Sequence, residues 1–417
     1  MSPNIQIATR FLLAKKRSML MSLCGIAFGV GFFIVTQAQL SGFEEFFIRT
    51  ILGTDGAIRI EDKFQATLAQ MEAASSTRTD SKFFVADRGN RRYVEGVEYP
   101  EKIIDALQSI PNVAATSSVL KGRVEVQSPL RMESAQVYGI VLNDHLAVSD
   151  LEDQLVFGSI EEFRRAPTGI LIGRKLSDRL QARVGDSIII ESRGEQSRYR
   201  VSGVYETGVS DIDRVRVFMH LDQARSLLRR PHGVTFIQVS VFDRDRAEYD
   251  ALVIENLVQH AAAPWQDREK VWLDVFKALQ VSAVITVSTI ILISGLGMFN
   301  TLVMIVMEKT REIAILRSMG YSRSDISAIF LWQGGIVLVF GVFLGFALGA
   351  GVTYGVSHLP LRVRGIFSTD SYVVEWSAMH YFWAAVTAIV IVLFASLAPA
   401  RRAARLVPGD VIRGTAS

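Results

Sequence analysis

Four stretches of this 417-residue chain contain no aspartate, glutamate, lysine or arginine: residues 18–43, 278–307, 326–361 and 376–400. A helix crosses the hydrocarbon core of a bilayer with about 20 apolar residues. Each stretch is long enough, and four such runs are foreign to the core of a soluble protein. The mean hydropathy of +0.27 agrees with this. The first run is longer than the apolar part of a cleaved leader, and no A-x-A site follows it, so it reads as a retained span. Leu23 precedes Cys24, where a lipid-attachment cysteine calls for a small residue. Cys24 is the sole cysteine, which excludes an internal disulfide framework and a cysteine-cluster metal site.

Lysine and arginine beside the spans set the orientation. Arg10, Lys15, Lys16 and Arg17 precede the first span. Lys309, Arg311, Arg317 and Arg323 stand between the second and third, and Arg401, Arg402, Arg405 and Arg413 follow the fourth. The third-to-fourth connection carries only Arg362 and Arg364. Both termini are expected in the cytoplasm and residues 44–277 outside. The net charge of +3 conceals a split. Residues 44–280 hold 31 basic and 36 acidic side chains, whereas the rest holds 14 and 6. Nothing in this balance calls for nucleic acid. The expected class is an integral membrane α-helical protein with four transmembrane helices, N-in/C-in. A large mixed α/β extracytoplasmic domain lies between the first and second spans. No span has an ionisable residue at its middle, which disfavours a proton or ion relay. His358 and His380, near outer span ends, read as interfacial.

In the external segment, a helical apolar period over 98–110 is ended by Pro111 and Asn112. Alternation predicts strands over 113–120, 123–127 and 135–142. Residues 169–191 read as strand, helix over 174–182, a Gly185-Asp186 turn and a second strand. After a short hairpin at 192–197 come strands at 199–207 and 215–220, a helix at 221–230, a strand at 234–241 and a helix at 248–259. Residues 65–96 are the least patterned. The segment holds no H-E-x-x-H, no G-x-S-x-G and no cysteine pair. His145, His220, His232 and His260 lack ligand spacing, and no acid pair stands out as catalytic.

The most informative stretch is 299–335, FNTLVMIVMEKTREIAILRSMGYSRSDISAIFLWQGG. The second span runs into Glu308 and Lys309. Residues 310–319 form a short helix, with Ile313, Ala314 and Leu316 set against Lys309, Glu312 and Arg317. Gly320 suits a left-handed helix stop, and Ser322 with Asp325 forms a capping-box pattern for the next helix. On these residues alone, the short helix either lies on lipid headgroups or docks into a partner protein.

E-K-T-R-E-I-A-I-L-R-S-M-G-Y-S at 308–322 resembles the coupling helix of the MacB/FtsX-type ABC transporter permeases. The likeness is strongest to the lipoprotein-releasing, LolC/LolE-like branch. Gly42-Phe43-Glu44 resembles that family's N-G-F-E. GILIGRKLSDRLQARVGDSIII resembles its external G-D segment, and YRVSGVYETGVSDIDRVRVFMHLDQARSLL the segment after it. LAPARRAARLVPGDVIRG resembles its C-terminal tail. The landmarks occur in the family's order around the same four spans.

The resemblance implies a division of the chain into a cytoplasmic amphipathic segment (1–17), spans at 18–43, 278–307, 326–357 and 377–400, and a periplasmic domain at 44–277. That domain would have a MacB-like core and an inserted subdomain about 143–232. A coupling helix (308–325), a short external loop (358–376) and a cytoplasmic tail (401–417) complete it. It implies a permease subunit of the inner membrane, working with two copies of a separate ABC ATPase and a second permease, identical or paralogous. The chain has neither G-x-x-x-x-G-K-[ST] nor L-S-G-G-Q, so ATP and Mg belong to the partner ATPase and no cofactor is expected here. With so few residues before its first span, no fused ATPase is expected on this chain.

By the same resemblance, Glu308, Arg311, Glu312, Ile315, Leu316, Arg317, Met319 and Gly320 would meet the ATPase, with Ile315, Leu316 and Met319 as an apolar plug. Gly341, Gly345 and Gly349, with Gly295 and Gly297, would allow close helix packing, inside this chain or at the subunit interface. The implied activity is release of a lipoprotein or lipid-like substrate from the membrane. The alternatives are FtsX-like transmission to periplasmic partners and MacB-like export of a peptide or drug. In LolC-type subunits the hairpin after the G-D strand is a long hook that recruits a periplasmic carrier. Here the connection at 192–197 is short, which favours a LolE-like subunit or a relative with other cargo. A carrier or adaptor partner therefore stays open. Residues 65–96 also exceed the family's usual linker.

Overall fold

The computed structural model describes residues 3–14, 16–63, 96–359 and 372–405. Outside the described residues lie Lys15, the unpatterned excursion except Gly96, the loop arginines Arg362 and Arg364, and the tail after Arg405 with Arg413.

The chain opens with α1 (Pro3–Ala14) and α2 (Lys16–Asp55). Then come β1 (Ile58–Glu61), α3 (Pro100–Leu107), β2 (Val113–Gln127), β3 (Met132–Ile140), α4 (Leu142–Val148), β4 (Leu155–Gly158) and α5 (Ile160–Arg165). β5 (Gly169–Gly173), α6 (Arg174–Leu180), β6 (Ser187–Ser192), β7 (Glu195–Tyr205), α7 (Ser210–Val215), β8 (Arg216–His220) and α8 (Leu221–Leu227) follow. β9 (Phe236–Val241), α9 (Ala247–Val258), β10 (Ala261–Pro264) and α10 (Trp265–Arg268) close the mixed region. The last helices are α11 (Lys270–Glu308), α12 (Thr310–Ser318), α13 (Arg323–Ser357) and α14 (Ala378–Ala404). The described residues form two compact units, one helical and one spanning residues 46–273, and the division falls inside α2 and α11.

In the helical unit, α2, α11, α13 and α14 are each long and apolar enough to cross a membrane. α2 and α11 have 40 and 39 residues. At 1.5 Å per residue each is about 60 Å long, twice the roughly 30 Å hydrocarbon core. Both helices therefore continue well past their charge-free stretches. Ile34, Ile291, Phe330 and Ala388 fill the bundle interior, and Phe28, Phe343 and Phe394 point outward. Lipid as solvent makes that outward face unobjectionable, since there is no water for it to order.

The other unit is built on one ten-stranded sheet in the order β10-β1-β9-β2-β3-β8-β5-β7-β4, with β6 pairing both β2 and β7. That double pairing closes a ring, β2–β3–β8–β5–β7–β6 and back to β2. Inward residues such as Val124, Val137, Ile170, Ile190, Val201 and Val217 fill it, as the alternation of a strand requires. The two strands expected at 113–120 and 123–127 are one. Lys121 and Gly122 stay in register with Tyr138 and Val137 of β3, and the strand continues through them. The segment from about 143 to 232 contributes β4 to β8 to this same sheet. The helix expected over 98–110 is shorter, with Pro100 at its start, where proline's missing N–H is no loss.

Candidate functional site

The turn between α11 and α13 is built from backbone chemistry. Lys309 joins two helices almost without interruption: its N–H donates to Ile305 O at 2.9 Å, and its carbonyl accepts from Ile313 N at 2.9 Å. The Thr310 hydroxyl donates back to Val306 O (2.9 Å) and Met307 O (2.7 Å), a bond type that bends helices. α12 ends in a Schellman motif. Tyr321 N donates to Leu316 O at 3.2 Å and Gly320 N to Arg317 O at 3.3 Å. Gly320 has φ +100°, a conformation that glycine adopts without strain. Next comes a full capping box: Asp325 N donates to Ser322 Oγ (3.1 Å) and Ser322 N to Asp325 Oδ2 (3.0 Å).

α12 divides its residues between two faces. Ile313 and Ala314 are buried in the bundle, and Leu316 and Tyr321 pack beside them. Ile315 and Met319, one turn apart, are 48% and 73% exposed. Glu308, Arg311, Glu312 and Gly320 are exposed, and Arg317 is half-buried with Nη1 donating to Tyr321 O at 3.3 Å. The expected apolar plug thus presents Ile315 and Met319, while Leu316 belongs to the bundle. Lys309 Nζ reaches Glu312 Oε1 at 2.5 Å and lies 5.7 Å from the ring of Phe11. Through Ala8, Phe11 and Leu12, α1 is part of the bundle core.

The glycines are placed differently from one another. A Cβ at Gly341, Gly345 or Gly349 would meet Ile26, Val30 or Ile34 of α2 within about 3 Å. This stripe is used within the chain. A Cβ at Gly295 would meet Ile391 of α14 at 2.7 Å, whereas one at Gly297 would meet nothing within 4 Å.

A second constellation lies in the sheet unit, where α2 ends. Gly56, at φ +66°, turns the chain from α2 into β1, and Ala57 N donates to Val239 O at 2.9 Å. Asp55, buried at this helix end, accepts two bonds from Arg216: Nη1 to Oδ1 at 2.7 Å and Nη2 to Oδ2 at 3.2 Å. Arg59 Nη2 (3.3 Å) and Gln238 Nε2 (3.2 Å) donate to the same carboxylate. Arg216 stacks 4.3 Å over Tyr138, and Arg59 4.4 Å over Phe236. Burial alone would lower the Arg216 guanidinium, but Asp55 more than reverses this and holds it above its ordinary value. Burial, then Arg216, push the nearby His145 down to about 4, so this ring is neutral. Burial brings Arg268 down to about 10, and its Nη2 donates to Gly56 O at 3.1 Å. The arrangement can hold a helix end rigidly. Among the described residues, no group of three or more His, Cys, Asp or Glu could hold a metal ion.

Comparison with known proteins decides what class of molecule carries these features. The model of the MacB-like periplasmic core domain matches residues 19–252, and that of the FtsX-like permease C-terminal matches residues 284–408. The chain belongs to the MacB/FtsX-type permeases, in the LolC/LolE-like branch. The lipoprotein-releasing system transmembrane protein LolC of Xylella fastidiosa is 26% identical over 98% of each chain. LolE of the same system in Haemophilus influenzae is 23% identical over 94% of this chain and 93% of that one. Among solved structures, the periplasmic region of MacB from Actinobacillus actinomycetemcomitans aligns at 13% identity with a TM-score of 0.34. It covers 54% of this chain and 95% of that one.

As a MacB/FtsX-type permease, the chain is a multi-pass membrane protein with a large extramembranous domain. It is the permease-type subunit of an ABC transporter. Members of the family are non-catalytic permease components and typically pair with an ABC ATPase and a paralogous permease. Sequence reasoning about this permease missed the Asp55 clamp and the packing of α1. One signal was available for the first: a carboxylate in the last turn of a helix opposes the helix dipole, and so needs a cation from elsewhere. For α1, the apolar positions Ala8, Phe11 and Leu12 share one face, but the pattern does not say what covers it.

Proposed function

We propose that this permease couples ATP hydrolysis on a separate ATPase subunit to release of a lipoprotein or lipid-like substrate from the inner membrane. Its termini are cytoplasmic and its sheet unit periplasmic. The names of its LolC and LolE relatives support the substrate class, and the basic residues around α12 support the orientation. The observation that carries the coupling role is the exposed pair Ile315 and Met319, ringed by charge on a helix fixed at both ends. An apolar knob with a polar rim is the composition of a protein-docking hot spot. In this reading α12 (within 308–325) rides on the ATPase, and α2 and α11 carry its displacement outward. The Asp55–Arg216 clamp passes the motion of α2 into β1 and β8.

The turn between β6 and β7 is the two-residue Arg193-Gly194, with φ +51° and +82°, the type I′ hairpin geometry. A turn this tight carries no hook, so carrier recruitment falls to a paralogous subunit. FtsX-like transmission and MacB-like export use the same parts, and identification of the bound molecule by mass spectrometry separates them. For the coupling helix, Ile315→Asp should lower ATPase co-purification by about tenfold or more, with membrane insertion unchanged. Ile315 is the better target than Leu316, whose loss would also disturb the bundle. Unaltered co-purification would remove α12 from the ATPase contact.

A further inference from the structure

β2 serves two partners along one edge. It pairs with β9 from Val113 to Val119 and with β6 from Glu125 to Gln127. Between Val119 and Glu125 that edge has no strand beside it among the described residues. A cleft of about 480 Å³ opens at the gap, lined by Lys121, Arg123, Arg193, Arg230, Ser192 and Thr235 among others. No aspartate or glutamate lines it among the described residues.

The cleft walls are held in place. Lys121 N donates to Thr235 Oγ1 at 2.9 Å, and that hydroxyl donates to Lys121 O at 3.3 Å. On the opposite wall, the tight β6–β7 turn puts Arg193 at its tip. Of the two acids two residues away, Glu195 is already taken by Arg229, whose Nε donates to it at 2.8 Å, and Glu191 accepts from Gln196 Nε2 at 2.8 Å. Lys121 Nζ lies 5.6 Å from the Tyr138 ring, which positions the ammonium without neutralising it. Lys121, Arg123 and Arg193 have no carboxylate within 4 Å among the described residues. Acids outnumber bases in this part of the chain, so three walled cations, Lys121, Arg123 and Arg193, with no carboxylate beside them among the described residues run against its composition. Like charges held together raise one another's energy, and an anion placed among them relieves it.

We propose that this cleft binds a phosphate-bearing anion, with Arg123, Arg193 and Lys121 as its principal donors. Guanidinium forks match the oxygens of phosphate, and an ammonium adds a point charge. The volume suits a diphosphate or the headgroup of a phospholipid. This site is independent of which cargo the permease moves. The test uses the full chain purified in detergent and titrated calorimetrically with four probes: inorganic pyrophosphate, dihexanoyl-phosphatidylglycerol below its micellar concentration, citrate and hexaglutamate. Pyrophosphate or the short lipid should bind, and Arg193→Glu should weaken that binding by about tenfold or more. Arg165→Glu, at an exposed position of α5 outside the cleft lining, should leave it unchanged. Preference for pyrophosphate identifies a free phosphate compound, and preference for the short lipid a headgroup. Because Arg193 is exposed at a hairpin tip, its replacement leaves the core intact. Binding of neither phosphate probe, equal binding to the Arg193→Glu chain, or equal or tighter binding of citrate or hexaglutamate would overturn the proposal.

Discussion

Asp55 shows how much can depend on one carboxylate. It is buried at the negative end of a helix, where the dipole disfavours it, and Arg216, Arg59 and Gln238 compensate. Removing one member of a buried ion pair typically costs about 3–5 kcal/mol, because the other charge is left uncompensated. Asp55→Asn should be more damaging than Arg216→Met, since the first strands the buried Arg216 guanidinium and leaves Arg59 only Glu61, whereas the second leaves Arg59 on the carboxylate. Hydrogen exchange in β1 and β8 of the purified chain measures the difference. Equal protection in both variants would mean the clamp is incidental to the stability of α2's end. The sequence shows only that a carboxylate ends a helix and needs a cation. Asp55, Arg216 and Gln238 are far apart in the sequence, and no local pattern says that they meet.

At the scale of elements, local chemistry was readable and long-range pairing was not. Gly320 as a helix stop and Ser322 with Asp325 as a cap are short-range statements, and the structure has both, with hydrogen bonds at the anticipated atoms. The four long apolar helices are equally direct readings of charge-free runs. The ring of six strands is different, because β6 reaches β2 only through tertiary geometry. Leu316, expected both beside Ile313 and in the apolar plug, packs beside the bundle: a nine-residue helix has too few turns for periodicity to separate a buried stripe from an exposed one. The glycine stripe yields the sharpest element-level expectation. Gly345→Leu would drive a side chain into Val30 and the backbone of Ala27, separating α13 from α2. Overpacking typically costs about 1–3 kcal/mol and more where backbone must move. Thermal stability in detergent should fall clearly for Gly345→Leu and stay near the parent value for Gly297→Leu, which meets open space. Equal losses would contradict the packing of α13 on α2.

The whole molecule is legible first as charge. The basic segments and the acidic middle of the chain predict its orientation, and cysteine labelling can read it directly. Cys24 is the only native thiol, so a Cys24→Ala background is clean. In intact cells, a cysteine at exposed Ser197 should react with a membrane-impermeant maleimide. One at exposed Ser318 should react only after the membrane is opened. The reverse pattern would invert the topology and remove α12 from any cytoplasmic ATPase.

The position of β1 has a consequence for how such a chain is made. β1 is the first strand of its domain, yet its partners are β9 and β10, the last two. At a synthesis rate of about 5–20 residues per second, the roughly 200 residues between them take about 10–40 s to emerge. For that interval Ile58 and Ile60, later fully buried, have no sheet to enter. Biogenesis of this permease therefore includes a waiting period. Something other than its own fold must shield an exposed strand edge until the end of the domain arrives.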